Sequence, residues 1–170
     1  MDYYTEYLNS NVMGNLEALT KERKLQLKII QGIRGYDRDI MVYASDLSKD
    51  APIIINYDDK LAFYDQIPKS ENTSIDIILE TPGGFAEVVE DLVRNLRKKY
   101  THIGVIVPGY AKSGGTIFAM GADEILMGDT SALGPIDAQI ITSNGKNYSA
   151  GAFLEGLENI KKESKEKLEP

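Results

Sequence analysis

The apolar positions of the chain change their spacing several times, and each change marks an element. Over residues 11–33, Leu16, Leu19, Leu27 and Ile30 recur near helical spacing among Lys and Glu, and Gly32 and Gly35 bracket the end of the helix this predicts. The run Ile40 to Ala44 (IMVYA) predicts a buried strand, and Ile53 to Tyr57 (IIINY), after Pro52, a second short one. Asp58 or Asp59 offers an N-cap to a short helix through Phe63 and Ile67, because a carboxylate there can accept from the free N–H groups of the first turn.

From Ile75 onward the pattern is regular. Ile75 to Leu79 (IDIIL) reads as a strand, Thr81 to Gly84 (TPGG) as a turn, and Phe85 to Tyr100 as an amphipathic helix with Val88, Val89, Leu92, Val93 and Leu96 on one face. Ile103 to Val107 (IGVIV) reads as a fully buried strand, Pro108 to Gly115 as a Gly-rich turn, Thr116 to Met120 as a short helix and Glu124 to Met127 as another strand. Strands that alternate with helices and are apolar throughout predict an α/β fold, with a mainly parallel sheet and flanking crossover helices. Farther on, Asn144-Gly145 signals a tight turn, a final helix follows Tyr148, and Ile160 to Pro170 is nearly all Lys and Glu, as in a solvated helix end. No internal repeat or long linker interrupts residues 1–170, so a single domain is expected, and a chain of this size has a real core available.

Charge and composition narrow the function classes. A net charge of −7 argues against nucleic acid as the main partner, since phosphate contacts need an excess of Lys and Arg. The absence of Cys removes disulfides, a thiol nucleophile and zinc–thiolate sites. His102 is the sole His, so a multi-His metal site is out of reach, and neither a metal nor a cofactor is expected. The opening segment MDYYTEYLNS carries acids and tyrosines instead of a basic leader, and no run approaches the roughly 20 apolar residues of a spanning helix. A cytoplasmic protein with no integral membrane segment is therefore expected. The cluster Tyr3, Tyr4 and Tyr7 is read as a contact surface or core edge.

Two turns carry the candidate chemistry. Thr81-Pro82-Gly83-Gly84 and Ala111-Lys112-Ser113-Gly114-Gly115-Thr116 each lie where a strand ends and a helix begins. In a parallel sheet that places both at the carboxyl edge, where ligands bind. Backbone N–H groups from the two turns, converging on one point beside a Ser hydroxyl, would supply an oxyanion hole and a nucleophile for acyl transfer. Each turn also has a plainer reading: PGG as a tight turn, and Ser113 as an N-cap of the following helix.

As a set, LETPGG, AKSGGT, ADEILM and SALGPID, in that order and spacing, resemble the Clp-protease/crotonase superfamily. Within it they are most similar to the serine dehydrogenase proteinases, which are related to signal peptide peptidase A. The resemblance covers Ile75 to Gln139, and more loosely Arg34 to Asp65. Members of that group are longer, so the chain is expected to be a short homologue or one truncated at its C-terminus. The resemblance implies a Clp-protease/crotonase-like fold, a serine hydrolase acting on peptides or unfolded protein, and assembly into homo-oligomers. It puts Ser113 at the nucleophile position and Gly84 and Gly114 at the two oxyanion-donor positions, with Ser131 to Asp137 bordering the site.

The base departs from the Clp pattern, which has a His roughly two dozen residues after the Ser; here that place holds Asp137. His102 begins the strand that leads to the site edge, and a strand of that length spans roughly 17 Å, so it is expected at the opposite edge. Signal peptide peptidases use Lys, which points to Lys112, to Lys146, or to the lysines between Lys161 and Lys167, the last also reachable across an oligomer interface. Asp137 and Lys146 are carried as the candidates that polarise Ser113 or accept its proton. Two other classes stay open: a catalytically inactive peptide-binding or scaffold member of the fold, and a crotonase-like acyl-thioester enzyme.

Overall fold

A computed structural model describes residues 12–45, 53–137, 139–142 and 146–168. The first helix, α1, runs Val12–Arg34 and leads into strand β1, Arg38–Ala44. Helix α2 (Asp59–Gln66), strand β2 (Ser74–Glu80), helix α3 (Ala86–Lys99) and strand β3 (His102–Val107) follow. Next come β4 (Tyr110–Ala111), α4 (Gly114–Met120), β5 (Glu124–Met127) and β6 (Ala132–Leu133). A hairpin of β7 (Gln139–Ile141) and β8 (Asn147–Ser149) then leads into α5, Ala150–Leu168.

The main sheet has the order β1-β2-β3-β5, and every pair is parallel. The expected α/β architecture with a parallel sheet and crossover helices is what forms. Residues facing one side of the sheet (Met41, Ile75, Ile77, Leu79, Ile103, Val105 and Val107) are buried against Phe63 of α2, Val88, Val89, Leu92 and Leu96 of α3, and Phe118 and Ala119 of α4. The apolar face read along α3 is this buried face, and each such side chain contributes about 1.5–3 kcal/mol by leaving water.

Several local expectations are corrected. Ile40 to Ala44 is not buried throughout: β1 is an edge strand whose second face lacks a covering helix, so Val42 is 47% exposed. Ile53 to Tyr57 forms no strand; only Ile55 pairs, in an isolated parallel bridge with Gly84. Asp58 precedes α2 without a side-chain capping bond, and the Asp59 carboxylate instead accepts from the Asn56 N–H at 2.8 Å. The span Pro108 to Gly115 is not all turn, because Tyr110–Ala111 pairs in parallel with Ala132–Leu133. Leu16 on α1 is exposed, and Leu19, Leu27 and Ile30 are only half-buried, so that helix stands outside the core. The Asn144-Gly145 turn and the Tyr3, Tyr4, Tyr7 cluster lie outside the described residues.

A polar cluster at the N-terminal edge of the sheet anchors α1 instead. Asp76 is fully buried and accepts from Arg34 Nε at 2.9 Å and from Arg38 at 2.8 Å, while Arg34 also pairs with Glu124. Burial alone would raise the Asp76 pKa, but the two guanidiniums outweigh it and hold the carboxyl below its usual range. His102 belongs to this edge: it is in register with Ser74, and its Nδ1 accepts from Arg38 at 3.0 Å.

Candidate active site

The chain after β2 and the chain after β3 emerge at the same, carboxyl edge of the sheet, and there the two glycine turns meet. Backbone bonds stitch them together. The Thr81 N–H donates to the Tyr110 carbonyl at 3.0 Å, and the Lys112 N–H donates to the Thr81 carbonyl at 3.0 Å. On the far side, the Ile55 N–H donates to Gly83 O at 2.8 Å and the Phe85 N–H to Ile55 O at 3.0 Å. The buried Thr81 hydroxyl accepts from the Gly83 N–H at 3.2 Å, which sets the internal shape of the TPGG turn.

The fit between the turns explains their glycines. Gly83 has φ +117, and a Cβ there would lie 2.7 Å from both the Lys112 carbonyl oxygen and the Ser113 Cβ. A Cβ on Gly114 would lie 2.8 Å from Gly84 O and 2.9 Å from Gly84 N. The structure thus packs Gly83 against Lys112 and Ser113, and Gly114 against Gly84. Among the described residues, none accepts a hydrogen bond from the N–H of Gly84 or of Gly114. Both donors are left for something else.

Ser113 is the one non-glycine among the described residues with positive φ, at φ 48 and ψ −117. A non-glycine residue in such a region costs about 1–3 kcal/mol and persists only where its surroundings impose it. Here Gly115 N–H donates to Lys112 O at 2.7 Å and Ile117 N–H to Ser113 O at 3.1 Å, fixing the chain on both sides. Although Ser113 occupies the N-cap position of α4, its side chain makes no capping bond. The plainer reading of this Ser, as a cap, is therefore not what the geometry displays; the hydroxyl is half-buried and uncommitted. A strained Ser beside two unused N–H groups can attack a carbonyl carbon and stabilise the charge that develops on its oxygen.

Among the described residues, none bonds to Ser113 Oγ. Asp137 and Lys146 are both exposed, on the segments that follow Gly134. Lys112 sends its ammonium to the Leu133 carbonyl at 2.8 Å. Thr116 ties the same segment to α4: its hydroxyl donates to Ala111 O at 2.8 Å and accepts from the Gly134 N–H at 3.0 Å. Sequence reasoning missed both of these anchors. The one available hint was that Lys112 and Thr116 flank the Ser-Gly-Gly turn. Among the described residues there is no group of His, Asp and Glu that could hold a metal ion, and no helix long and apolar enough to cross a membrane.

Comparison with known proteins bears on this arrangement. The sequence profile of a family described as ClpP-like SDH-type serine proteinase matches residues 54–168, more than half of the chain, and includes both glycine turns. Two uncharacterized proteins of Methanocaldococcus jannaschii are similar. MJ1495 is 40% identical over 85 residues, covering 50% of this chain and 27% of its own length. MJ0137 is 42% identical over 84 residues, covering 49% of this chain and 28% of its own length. The chain thus matches little more than a quarter of the length of these relatives. A solved structure of a serine-to-alanine mutant of the 1510-N membrane-bound stomatin-specific protease superposes with a TM-score of 0.53 at 20% identity, covering 71% of this chain and 57% of that one. That likeness is one of fold.

Proposed function

The chain belongs to the ClpP-like SDH-type serine proteinases, and we propose that it is a peptidase in which Ser113 is the nucleophile and the N–H groups of Gly84 and Gly114 form the oxyanion hole. The observation that carries this reading is Ser113 itself: a strained φ of 48, a hydroxyl that caps nothing, and the TPGG turn packed against it. Ser113 Oγ attacks the carbonyl carbon of a peptide or an unfolded protein segment. Its proton passes to a base and then to the leaving amine as the C–N bond breaks; water cleaves the acyl ester and restores the hydroxyl. Lys146 is the proposed proton acceptor, and Asp137 the group that polarises Ser113 or orients the lysine. The cytoplasmic site of action expected from the sequence is also proposed, and cell fractionation tests it.

One observation favours a second reading. Ser113 Oγ has no hydrogen-bonded partner among the described residues, as in a member of the fold that binds peptides or builds a scaffold without turnover. Treatment with a fluorophosphonate decides between the two, because it needs an activated Ser and no natural substrate. Labelling that maps to Ser113 and disappears in Ser113→Ala supports the peptidase. No labelling of the full chain supports the scaffold. If labelling occurs, Asp137→Asn and Lys146→Met report the base by the loss of rate each causes.

We also infer that the protein self-associates through α5. Phe153, Leu154, Leu157 and Ile160 line one side of that helix, and Leu154 is 61% and Ile160 65% exposed. In sequence, the first half of α5 carries Glu155 and Glu158, whereas the second carries Lys161, Lys162, Lys165 and Lys167 against Glu163 and Glu166. An antiparallel second copy lays acidic half against basic half while burying both apolar stripes, and it is the occupant this charge order suits.

A further inference from the structure

We infer that Lys112 is a positioning residue that holds Ser113 in its strained conformation, and not the base of the reaction. The inference rests on Ser113 being the nucleophile. Lys112 is tied at three points: its N–H to Thr81 O at 3.0 Å, its carbonyl to the Gly115 N–H at 2.7 Å, and its ammonium to Leu133 O at 2.8 Å. No carboxylate among the described residues pairs with that ammonium, so its hydrogen-bond partner is the carbonyl. The half-buried side chain crosses Gly134, where a Cβ would collide with the Lys112 Cδ and stand 3.2 Å from its Cβ. On the other side of Ser113, Thr116 binds the Gly134 N–H at 3.0 Å.

Ser113 therefore sits between two side chains that grip one segment, Leu133-Gly134. The Lys112 bond resists rotation on the N-terminal side of Ser113, and the Thr116 bond resists it on the C-terminal side. A positive φ at a non-glycine residue survives only under such constraint. Releasing the Lys112 arm lets the Ser113 backbone relax toward an ordinary conformation, and Oγ moves relative to the Gly84 and Gly114 N–H groups. A displacement of that kind, on the order of 1 Å, lowers reactivity about a hundredfold when the reacting groups were well aligned.

The test uses the full-length chain and fluorophosphonate labelling resolved into reagent affinity and maximal rate, measured across pH. Lys112→Met is expected to lower the maximal rate about ten- to a hundredfold, with affinity and the shape of the pH profile unchanged. Lys112→Arg is expected to recover most of that rate, because a guanidinium keeps a long cationic donor to the Leu133 carbonyl. As a base it would fail, since Arg does not give up its proton near neutral pH. Gly134→Ala, which displaces the Lys112 side chain from the opposite side, is expected to slow labelling as Lys112→Met does. Hydrogen exchange reads the clamp apart from any activity: the amides of Ala132 and Gly134 should exchange faster in Lys112→Met. Wild-type labelling with an unchanged rate in Lys112→Met overturns the inference, as does loss of the rate in Arg and Met variants alike. A wild-type protein that does not label overturns the nucleophile reading instead; unchanged exchange in Lys112→Met then overturns the clamp as well.

Discussion

Replacing Ser113 by glycine should stabilise the protein, and the comparison that isolates the effect is with Ser113→Ala. Alanine removes the hydroxyl but keeps a Cβ at φ 48, so the backbone strain remains. Glycine relieves it. Strain of this kind costs about 1–3 kcal/mol. Against that relief, glycine frees the unfolded chain by about 0.5–1 kcal/mol. Loss of a half-buried Cβ takes back less than about 0.8 kcal/mol. The balance is about 1 kcal/mol in favour of the glycine variant, which for a chain of this size raises Tm by about 2–4 °C over the alanine variant. Differential scanning calorimetry on the two variants measures it, with urea midpoints as a check on equal slopes. Both variants should be dead to fluorophosphonate, so stability rises where function is lost. A glycine variant that melts at or below the alanine variant would refute the claim that Ser113 is strained, and with it the argument that the surrounding bonds are there to hold it.

Two further outcomes follow from other parts of the molecule. The Asp76 carboxyl titrates below its unfolded value, so the stability it contributes is present above about pH 4 and is lost as pH falls through its depressed folded pKa. Asp76→Asn should flatten that acid limb and, by leaving Arg34 and Arg38 without their buried partner, cost about 3–5 kcal/mol at neutral pH; pH-dependent melting curves read both, and an unaltered acid limb counts against the assignment. Asp39, held below its usual range by bonds from Ser70, Tyr100 and Asn72 despite its burial, keeps part of the limb in that variant. Leu157→Glu on α5 should shift the sedimentation profile toward monomer and remove the dependence of Tm on protein concentration; a profile identical to wild type would remove the α5 interface.

The alternation of apolar runs with helical periods, from Ile75 to Met127, was enough to specify a parallel α/β sheet, because a strand covered on both faces is apolar nearly throughout, whereas one with a solvated face alternates. The two glycine turns were legible as candidates because each follows such a strand at the carboxyl edge of a parallel sheet, although a PGG sequence alone reads equally as a tight turn. Through its resemblance to a known family, the sequence also singled out Ser113, Gly84 and Gly114 as the candidate site residues. It did not show that Ile53 to Tyr57 contributes one bridging residue in place of a strand, since three consecutive isoleucines satisfy a strand and a bridge equally well. Nor did it show which face of β1 is open, which depends on where α2, α3 and α4 cross the sheet.

Only the tertiary structure decided what surrounds the candidate site beyond its glycines. The conformation of Ser113 is imposed by bonds from Thr81, Gly115 and Ile117 and by segments more than twenty residues apart, and no local preference encodes it. Lys112 was a candidate base because related peptidases use Lys and it neighbours the Ser; its direction is set by Leu133 and by the room that Gly134 leaves. The same holds for Asp76, an acid inside an apolar run, whose place in the core depends on two arginines that reach it from α1 and β1. Local pattern determines which segments become strands and helices because burial acts on every residue of a periodic face. The pairing of individual polar groups depends on where the folded chain brings distant residues together, and that geometry is written nowhere in a single stretch of sequence.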